Sequence, residues 1–371
     1  MTRIVPVLPL AALLGSVAAG QAPVEIKAHS ALIHSVAFSP DGKWFVTAGF
    51  DKTAKLFEYS NGQLKEARTL TGHTDPVNGV AFSPDSKALA TCSLDKTIRL
   101  WDPADGKPKT EIKGHTDNIE VIAFSPDGKF LASGSTGQDK SVRLWNPADG
   151  KEVKNLGTHA GTVYGLAFSP DNKLLVSSGS DKLIKVWDVP GQKMVKELKG
   201  HEDGVTGVVF AGDNSTLVSV SQDRTIRVWN LNAVVPKEPA KEPMKDAKDK
   251  PKDAKDKEKE KEKEKEKPKD KKDAKDAKPP EPKDTPPAKD PHEVKSFGPS
   301  PDDLFAVSWS KETKTIATAG YAGNISVWDL AGPKPTFTTR IKSPCYCVTF
   351  APDGKSLASG HDNGTVQFIK R

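Results

Sequence analysis

Gly72-His73-Thr74-Asp75-Pro76-Val77-Asn78-Gly79-Val80-Ala81-Phe82-Ser83-Pro84-Asp85 opens a unit that closes on Thr97-Ile98-Arg99-Leu100-Trp101-Asp102. Val77–Phe82 and Thr97–Trp101 are rich in β-branched residues with partial period-two alternation, and Pro, Asp and Gly bound them. That pattern predicts short strands joined by tight turns. The unit recurs at intervals of 42–44 residues: His29, His73, His115, His159 and His201 each stand nine residues before a Phe. Those Phe residues are 38, 82, 124, 168 and 210, and Ser-Pro-Asp follows four of them. The units end on Trp101-Asp102, Trp145-Asn146, Trp187-Asp188 and Trp229-Asn230. Outside the N-terminus no stretch carries a long helical period.

A fixed period of this length, marked by Gly-His and Trp-Asp, signals a β-propeller. The chain resembles the WD40-repeat family over nearly all its length outside the N-terminus and one charged insert. The resemblance implies an all-β fold and a function of binding, without naming a partner. Two further repeats are degraded. One aligns Trp309 with the repeated Phe and ends on Trp328-Asp329; the other contains Phe350-Ala351-Pro352-Asp353-Gly354 and reaches the dyad position at Ile369. The expected architecture is a seven-bladed ring across residues 23–371, with blades beginning near 29, 73, 115, 159, 201, 300 and 341. The seventh unit stops after its third strand. Val24-Glu25-Ile26-Lys27 matches the missing outer strand, as Thr110-Glu111-Ile112-Lys113 does in blade two. Closure by that strand removes an open sheet edge.

In WD40 proteins a His, a Ser or Thr, an Asp and a Trp of one blade form a hydrogen-bonded chain. The resemblance places these chains at His73, Thr91, Asp95, Trp101; at His115, Ser133, Asp139, Trp145; at His159, Ser177, Asp181, Trp187; and at His201, Ser219, Asp223, Trp229. Blade one keeps His29, Thr47 and Asp51 but carries Phe57 at the Trp position. Blade six keeps Thr318 and Trp328, with Ser300 and Ala322 at the His and Asp positions. Buried polar groups are costly unless partnered, so such a chain fixes loop geometry. A His-Ser-Asp trio also invites a catalytic reading. A hydrolase needs one poised triad rather than the same trio in equivalent places of four blades, so these residues read as scaffold.

Met1-Thr2-Arg3, an apolar run from Ile4 to Ala19 and the small residues Ser16–Gly20 have the form of a secretory signal peptide over residues 1–20. The run is short for a spanning helix and contains Pro6 and Pro9, so no stable membrane span is expected after cleavage. The expected location is periplasmic or extracellular. Cys92, Cys345 and Cys347 are an odd set of three and form no disulfide framework. On a regular strand Cys345 and Cys347 would share one face.

Residues 236–291 change character to Lys, Glu, Asp, Ala and Pro, without an aromatic residue. Such a segment cannot bury enough surface to fold and is expected to be a disordered loop within blade five, on the side opposite the His/Asp loops. The formal charge is +6 and the pI near 8.9. The insert holds 20 Lys against 17 acids, leaving 35 basic and 32 acidic residues elsewhere. No clustered basic surface emerges, so nucleic acid is not an expected partner.

Binding positions should differ between blades while framework positions repeat. The residue five after the His, which the resemblance places near the channel mouth, is His34, Asn78, Glu120, Tyr164, Thr206, Phe305 and Tyr346 in turn. The residue before the turn Asp is Phe50, Leu94, Gln138, Ser180, Gln222 and Tyr321, with Asp362 in blade seven. Blades six, seven and one therefore concentrate Phe305, Tyr321, Tyr346, Phe50 and His34, a composition suited to a protein or peptide partner. The competing reading is that these rings pack internally in place of missing network residues. His34, His361 and Asp362 are metal-capable near the seam of blades one and seven but have no ligand spacing, and no metal or cofactor is expected. The preferred expectation is a non-enzymatic, monomeric binding ring. The alternative is a secreted propeller enzyme, a lyase, lactonase or hydrolase, for which His34 and Glu120 are the only His, Asp or Glu candidates among the mouth positions.

Overall fold

The computed structural model describes residues 24–60, 62–232 and 289–371. The signal-like N-terminus and nearly all of the charged insert lie outside the described residues. The described chain forms seven four-stranded antiparallel sheets. Their inner strands are Ile33–Phe38, Val77–Phe82, Ile119–Phe124, Val163–Phe168, Val205–Phe210, Leu304–Ser310 and Cys345–Phe350. Each packs against the next, and Ile33–Phe38 packs against Cys345–Phe350 to close the circle. The protein is a seven-bladed β-propeller without helices among the described residues.

The core is divided between the blades. Seven buried clusters fill the seven interfaces, whereas an open row of seven blades would have only six. Val46, Leu56 and Leu70 of blade one meet Val77, Phe82 and Trp101 of blade two in one of them. Phe45 and Ile33 of blade one meet Val366 and Phe368 of blade seven in the closing one. Blade seven owes its fourth strand to the start of the chain. Val24–Lys27 pairs antiparallel with Thr365–Ile369, from Val24 opposite Phe368 to Lys27 opposite Thr365. Adjacent loops are also tied across blades: Lys52, Lys96 and Lys182 donate to the carbonyls of Thr74, Thr116 and Glu202 at 2.7–2.9 Å.

The insert occupies the connection between two paired strands of blade five, Ile226–Asn230 and Glu293–Phe297. Asp290, counted with the insert on composition, already belongs to the blade. Its carboxylate accepts from the Lys199 and His292 amides at 2.9 and 2.8 Å.

One local feature recurs in every inner strand. Pairing with the neighbouring strand skips a residue near the start, as between Ile33 and Ser35 or Val77 and Gly79. The skipped residues are His34, Asn78, Glu120, Tyr164, Thr206, Phe305 and Tyr346. A bulge leaves one residue unpaired and re-aims its side chain. It also breaks period-two alternation, which corrects the expectation for the cysteines. Cys345 packs between blades six and seven, and Cys347 between blades seven and one. Both thiols and Cys92 are buried and free, and burial pushes Cys345 up to about 12.

Candidate functional site

The His/Asp loops are held by the networks. In blade two His73 Nδ1 lies 2.8 Å from Asp95, and Nε2 lies 2.7 Å from Thr91 Oγ1. Trp101 Nε1 donates to the same hydroxyl at 2.9 Å. His115, Ser133, Asp139 and Trp145 repeat this chain, as do His159, Ser177, Asp181 and Trp187. His201, Ser219, Asp223 and Trp229 form the fourth copy. Each Ser or Thr in these four blades is buried and accepts from Trp, so its own proton is directed to the His. Nucleophilic use would require breaking that chain. Burial lowers the His115 and His201 pKa values. It opposes ionisation of Asp95 and Asp223, yet hydrogen bonds from the His and from Thr97 or Thr225 hold those carboxyls far below the usual range. The glycine before the His has its own reason in blade three. Gly114 has φ +156°, and a Cβ there would stand 2.8 Å from the Trp145 ring.

Blades six and seven solve the same packing problem differently. In blade six Trp328 still donates to Thr318 at 3.0 Å, but Asp302 turns inward and accepts from the Ala322 amide. A Cβ on Gly320 would meet Asp302, just as one on Gly49 would meet the ring of His29. In blade seven the imidazole arrives from the second strand: His361 Nε2 is 2.9 Å from Ser359 Oγ, and Nδ1 donates to Ser343 O at 3.3 Å. His361 is buried and engaged there, while Asp362 is exposed and bonded by Ser343. Among the described residues no group of three metal-capable side chains is gathered, His34, His361 and Asp362 included.

The bulge residues encircle the central channel. All seven line a cavity of about 340 Å³, together with Gln222 and small apolar residues of the inner strands. Its two sides differ. Across blades one to three runs a polar chain: His34 Nδ1 bonds to Asn78 O at 2.9 Å, and Nε2 approaches Glu120 Oε1 at 3.3 Å. Asn78 Nδ2 donates to Glu120 Oε2 at 2.9 Å. A carbonyl can only accept, so Nδ1 donates to Asn78 O, and an ionised Glu120 offers Nε2 a second acceptor, a setting that favours the protonated ring. Burial works against that charge, but the bond and charge of Glu120 raise the His34 pKa above its ordinary value. Burial likewise opposes ionised Glu120, and the His34 charge, its hydrogen bond and Asn78 hold its pKa down.

On the other side Phe305 and Tyr346 stack at 5.3 Å, and Tyr321 meets Phe305 edge-on at 6.1 Å. Tyr321 is 56 % exposed, the most open aromatic ring among the described residues. A groove of about 540 Å³ extends outward from it past Arg340, Ile341, Lys342 and Pro344. Phe50 stacks on His34 at 5.8 Å. The five expected partner residues are thus divided. Phe305, Tyr321 and Tyr346 form one aromatic group, while His34 is a half-buried channel residue committed to Glu120 and Asn78, with Phe50 beside it. Composition gave Asn78 and Glu120 only as polar mouth residues; the signal for their linkage is three consecutive blades with His, Asn and Glu at the bulge.

A closed ring of seven blades, pinned by repeated His-Ser/Thr-Trp chains and presenting variable residues around a channel, defines a binding propeller. The sequence profile of the WD40 family (WD domain, G-beta repeat) matches residues 20–58, 64–102, 106–146, 150–188, 192–230, 292–329 and 333–370. The chain belongs to the WD40 family, and each of the seven matches joins the outer strand of one blade to the three inner strands of the next. Propellers of this family serve in general as protein-binding scaffolds. Among the described residues no helix is long and apolar enough to cross a membrane.

Proposed function

We propose that this protein is an exported, non-enzymatic ring that captures a protein or peptide partner on the face formed by blades six, seven and one. The observation that carries the reading is Tyr321, held open to solvent over the Phe305–Tyr346 stack at the edge of the channel. A ring recruited only to fill a deficient blade would be buried; this one offers apolar area with little rotamer entropy to lose. The adjoining groove gives a partner chain a path outward, with Arg340 and Lys342 for its polar groups. Export rests on the charged, apolar and small-residue order of the first 20 residues and places the ring in the periplasm or outside the cell.

The enzymatic alternative would use His34 and Glu120. His34 Nδ1 is committed to Asn78 O and Nε2 faces Glu120, and the Thr206 hydroxyl elsewhere on the channel wall donates to Leu304 O at 2.7 Å. These arrangements favour binding over lyase, lactonase or hydrolase chemistry.

Phe305→Ala, Tyr321→Ala and Tyr346→Ala should each reduce partner capture from an envelope extract, with Tyr321→Ala changing the melting temperature least. Gln138→Ala and Ser180→Ala, on the polar side of the face, should leave capture intact. Equal loss on both sides would mean a ring-wide interface. Unchanged capture in all three aromatic variants would refute the site.

A further inference from the structure

We propose that the channel takes the cationic side chain of an arginine or lysine from the partner, and that Glu120 exchanges the His34 imidazolium for that cation, releasing one proton to solvent. The inference rests on the binding reading above and deepens it by naming what enters the channel.

The cavity is asymmetric in what it lacks. Among the described residues Glu120 is its only carboxylate, and no Lys or Arg lines it. Asn78 is 2 % exposed, and its Oδ1 has no hydrogen-bond partner. The amide cannot be reversed to cure this, because Nδ2 faces the Glu120 carboxylate and the Ile119 carbonyl. The unmet demand at this polar wall is for a donor. Blade six lies across a seven-membered ring from the seam of blades two and three, so the Phe305–Tyr346 stack faces the Asn78–Glu120 acceptors over the channel. Aromatic faces attract a guanidinium or ammonium, and a carboxylate completes the grip. An anion would find no free donor on His34, whose ring nitrogens already face Asn78 O and Glu120.

Protonation follows from the same geometry. The groups facing His34 are Glu120 from blade three, the uncharged Asn78 from blade two, Tyr346 and Cys347 from blade seven, Tyr164 from blade four, and Phe50 stacked on it. Burial raises the pKa of Tyr164, Tyr346 and Cys347, which keeps them neutral. Among the described residues Glu120 is therefore the one charged group that favours the proton on His34. A second cation at that carboxylate competes with the imidazolium, which loses its proton; no bond other than N–H is broken. Below the raised pKa of free His34, affinity should increase up to tenfold for each pH unit and level off above it.

The test uses the full-length protein and capped Gly-Arg-Gly, Gly-Lys-Gly and Gly-citrulline-Gly peptides, titrated calorimetrically between pH 6 and 9. Two buffers of different ionisation enthalpy are used to count protons. The expected result is binding of the arginine or lysine peptide, release approaching one proton, and at least tenfold weaker binding of the neutral citrulline isostere. His34→Gln should abolish proton release and the pH dependence of whatever binding it retains, and Glu120→Gln should abolish binding, with melting curves showing both variants folded. The wild-type proton count and the citrulline comparison stand even if a variant does not fold. Equal citrulline binding, or arginine binding without proton release, overturns the proposal. Partner capture through Tyr321 in a protein that binds none of the basic peptides would overturn it too, and would leave the docking face standing.

Discussion

One substitution, made in three blades, isolates what the buried networks contribute. Thr91, Thr47 and Thr318 occupy the same strand position in blades two, one and six, and all are buried. Thr91 serves two partners, His73 at 2.7 Å and Trp101 at 2.9 Å. Thr47 serves His29 at 2.7 Å, with Phe57 where the Trp would be, and Thr318 serves Trp328 at 3.0 Å without a His. Thr→Val keeps the side-chain shape and deletes the hydroxyl. Each buried polar atom left unmatched costs about 1–3 kcal/mol, so Thr91→Val should cost about 2–6 kcal/mol, with Thr47→Val and Thr318→Val near half of that. At about 2–4 °C per kcal/mol, falling with chain length, Thr91→Val should lower the melting temperature by several degrees and by about twice as much as the others. Melting at a fixed scan rate, with urea midpoints as a second measure, reads the ratio directly. Equal losses in all three blades would show that the hydroxyl acts through packing rather than through its partners, and the network argument would be wrong.

Removing Val24–Lys27 should destabilise the ring strongly or drive edge-pairing oligomers, seen by size exclusion, since the Thr365–Ile369 strand would become an open edge. Gly364→Ala attacks the same joint more gently: the residue has φ +77°, and a Cβ would stand 2.2 Å from His29 O, so a marked drop in melting temperature is expected. Replacing residues 237–288 with a short turn, keeping Asp290 for its bonds to Lys199 and His292, should shift melting by only a few degrees. Closure entropy changes by about 2 kcal/mol for a tenfold change in loop length, and aggregation of the shortened protein would contradict that accounting. Stability should fall on the acid side in two stages. His29, His115 and His201 have lowered folded pKa values, so their contribution is present above the unfolded value and is lost as pH drops below about 6.5. The depressed Asp95, Asp139 and Asp223 carboxyls add a further loss below about pH 4. His34 has the opposite sign: its contribution is complete below the unfolded pKa and is lost as pH rises through the raised folded value, so His34→Gln should flatten only that limb of a melting-against-pH curve.

The fold was legible because each blade repeats the same physical requirements. A strand buried at a blade interface needs Val, Leu or Phe, and a network needs its His, hydroxyl and Trp at fixed offsets. Those offsets survive in five units clearly enough to register the two degraded ones. The closing strand was readable as well, since Val24–Lys27 carries the outer-strand pattern that Thr110–Lys113 shows in blade two. What escaped were substitutions between places that are distant in the repeat but adjacent in space. Ser300 and Ala322 look like losses until Asp302 turns inward over Gly320. His361 looks like a stray metal-capable residue until its ring occupies the site that His29 fills in blade one. A repeat alignment compares like positions and is blind to this exchange.

The channel was half legible for a related reason. Counting five residues from each His found the mouth residues without revealing that each is the skipped residue of a bulge. The bulge is what turns a side chain out of the inter-blade core, where regular alternation would place it, and into the channel. Seven residues freed from core packing can differ without cost to the fold, which is why His, Asn, Glu, Tyr, Thr, Phe and Tyr are tolerated at one structural position. Their pairings then depend on order around the ring. His34 reaches Glu120 past Asn78 because three polar bulges are consecutive, and Phe305 stacks on Tyr346 because two aromatic bulges adjoin. Exchanging Asn78 with Thr206 would preserve composition, period and every network residue, yet it would break the Asn78–Glu120 bond and with it the polar side of the channel. Recognition in this ring is written in the sequence of blades rather than in the repeat.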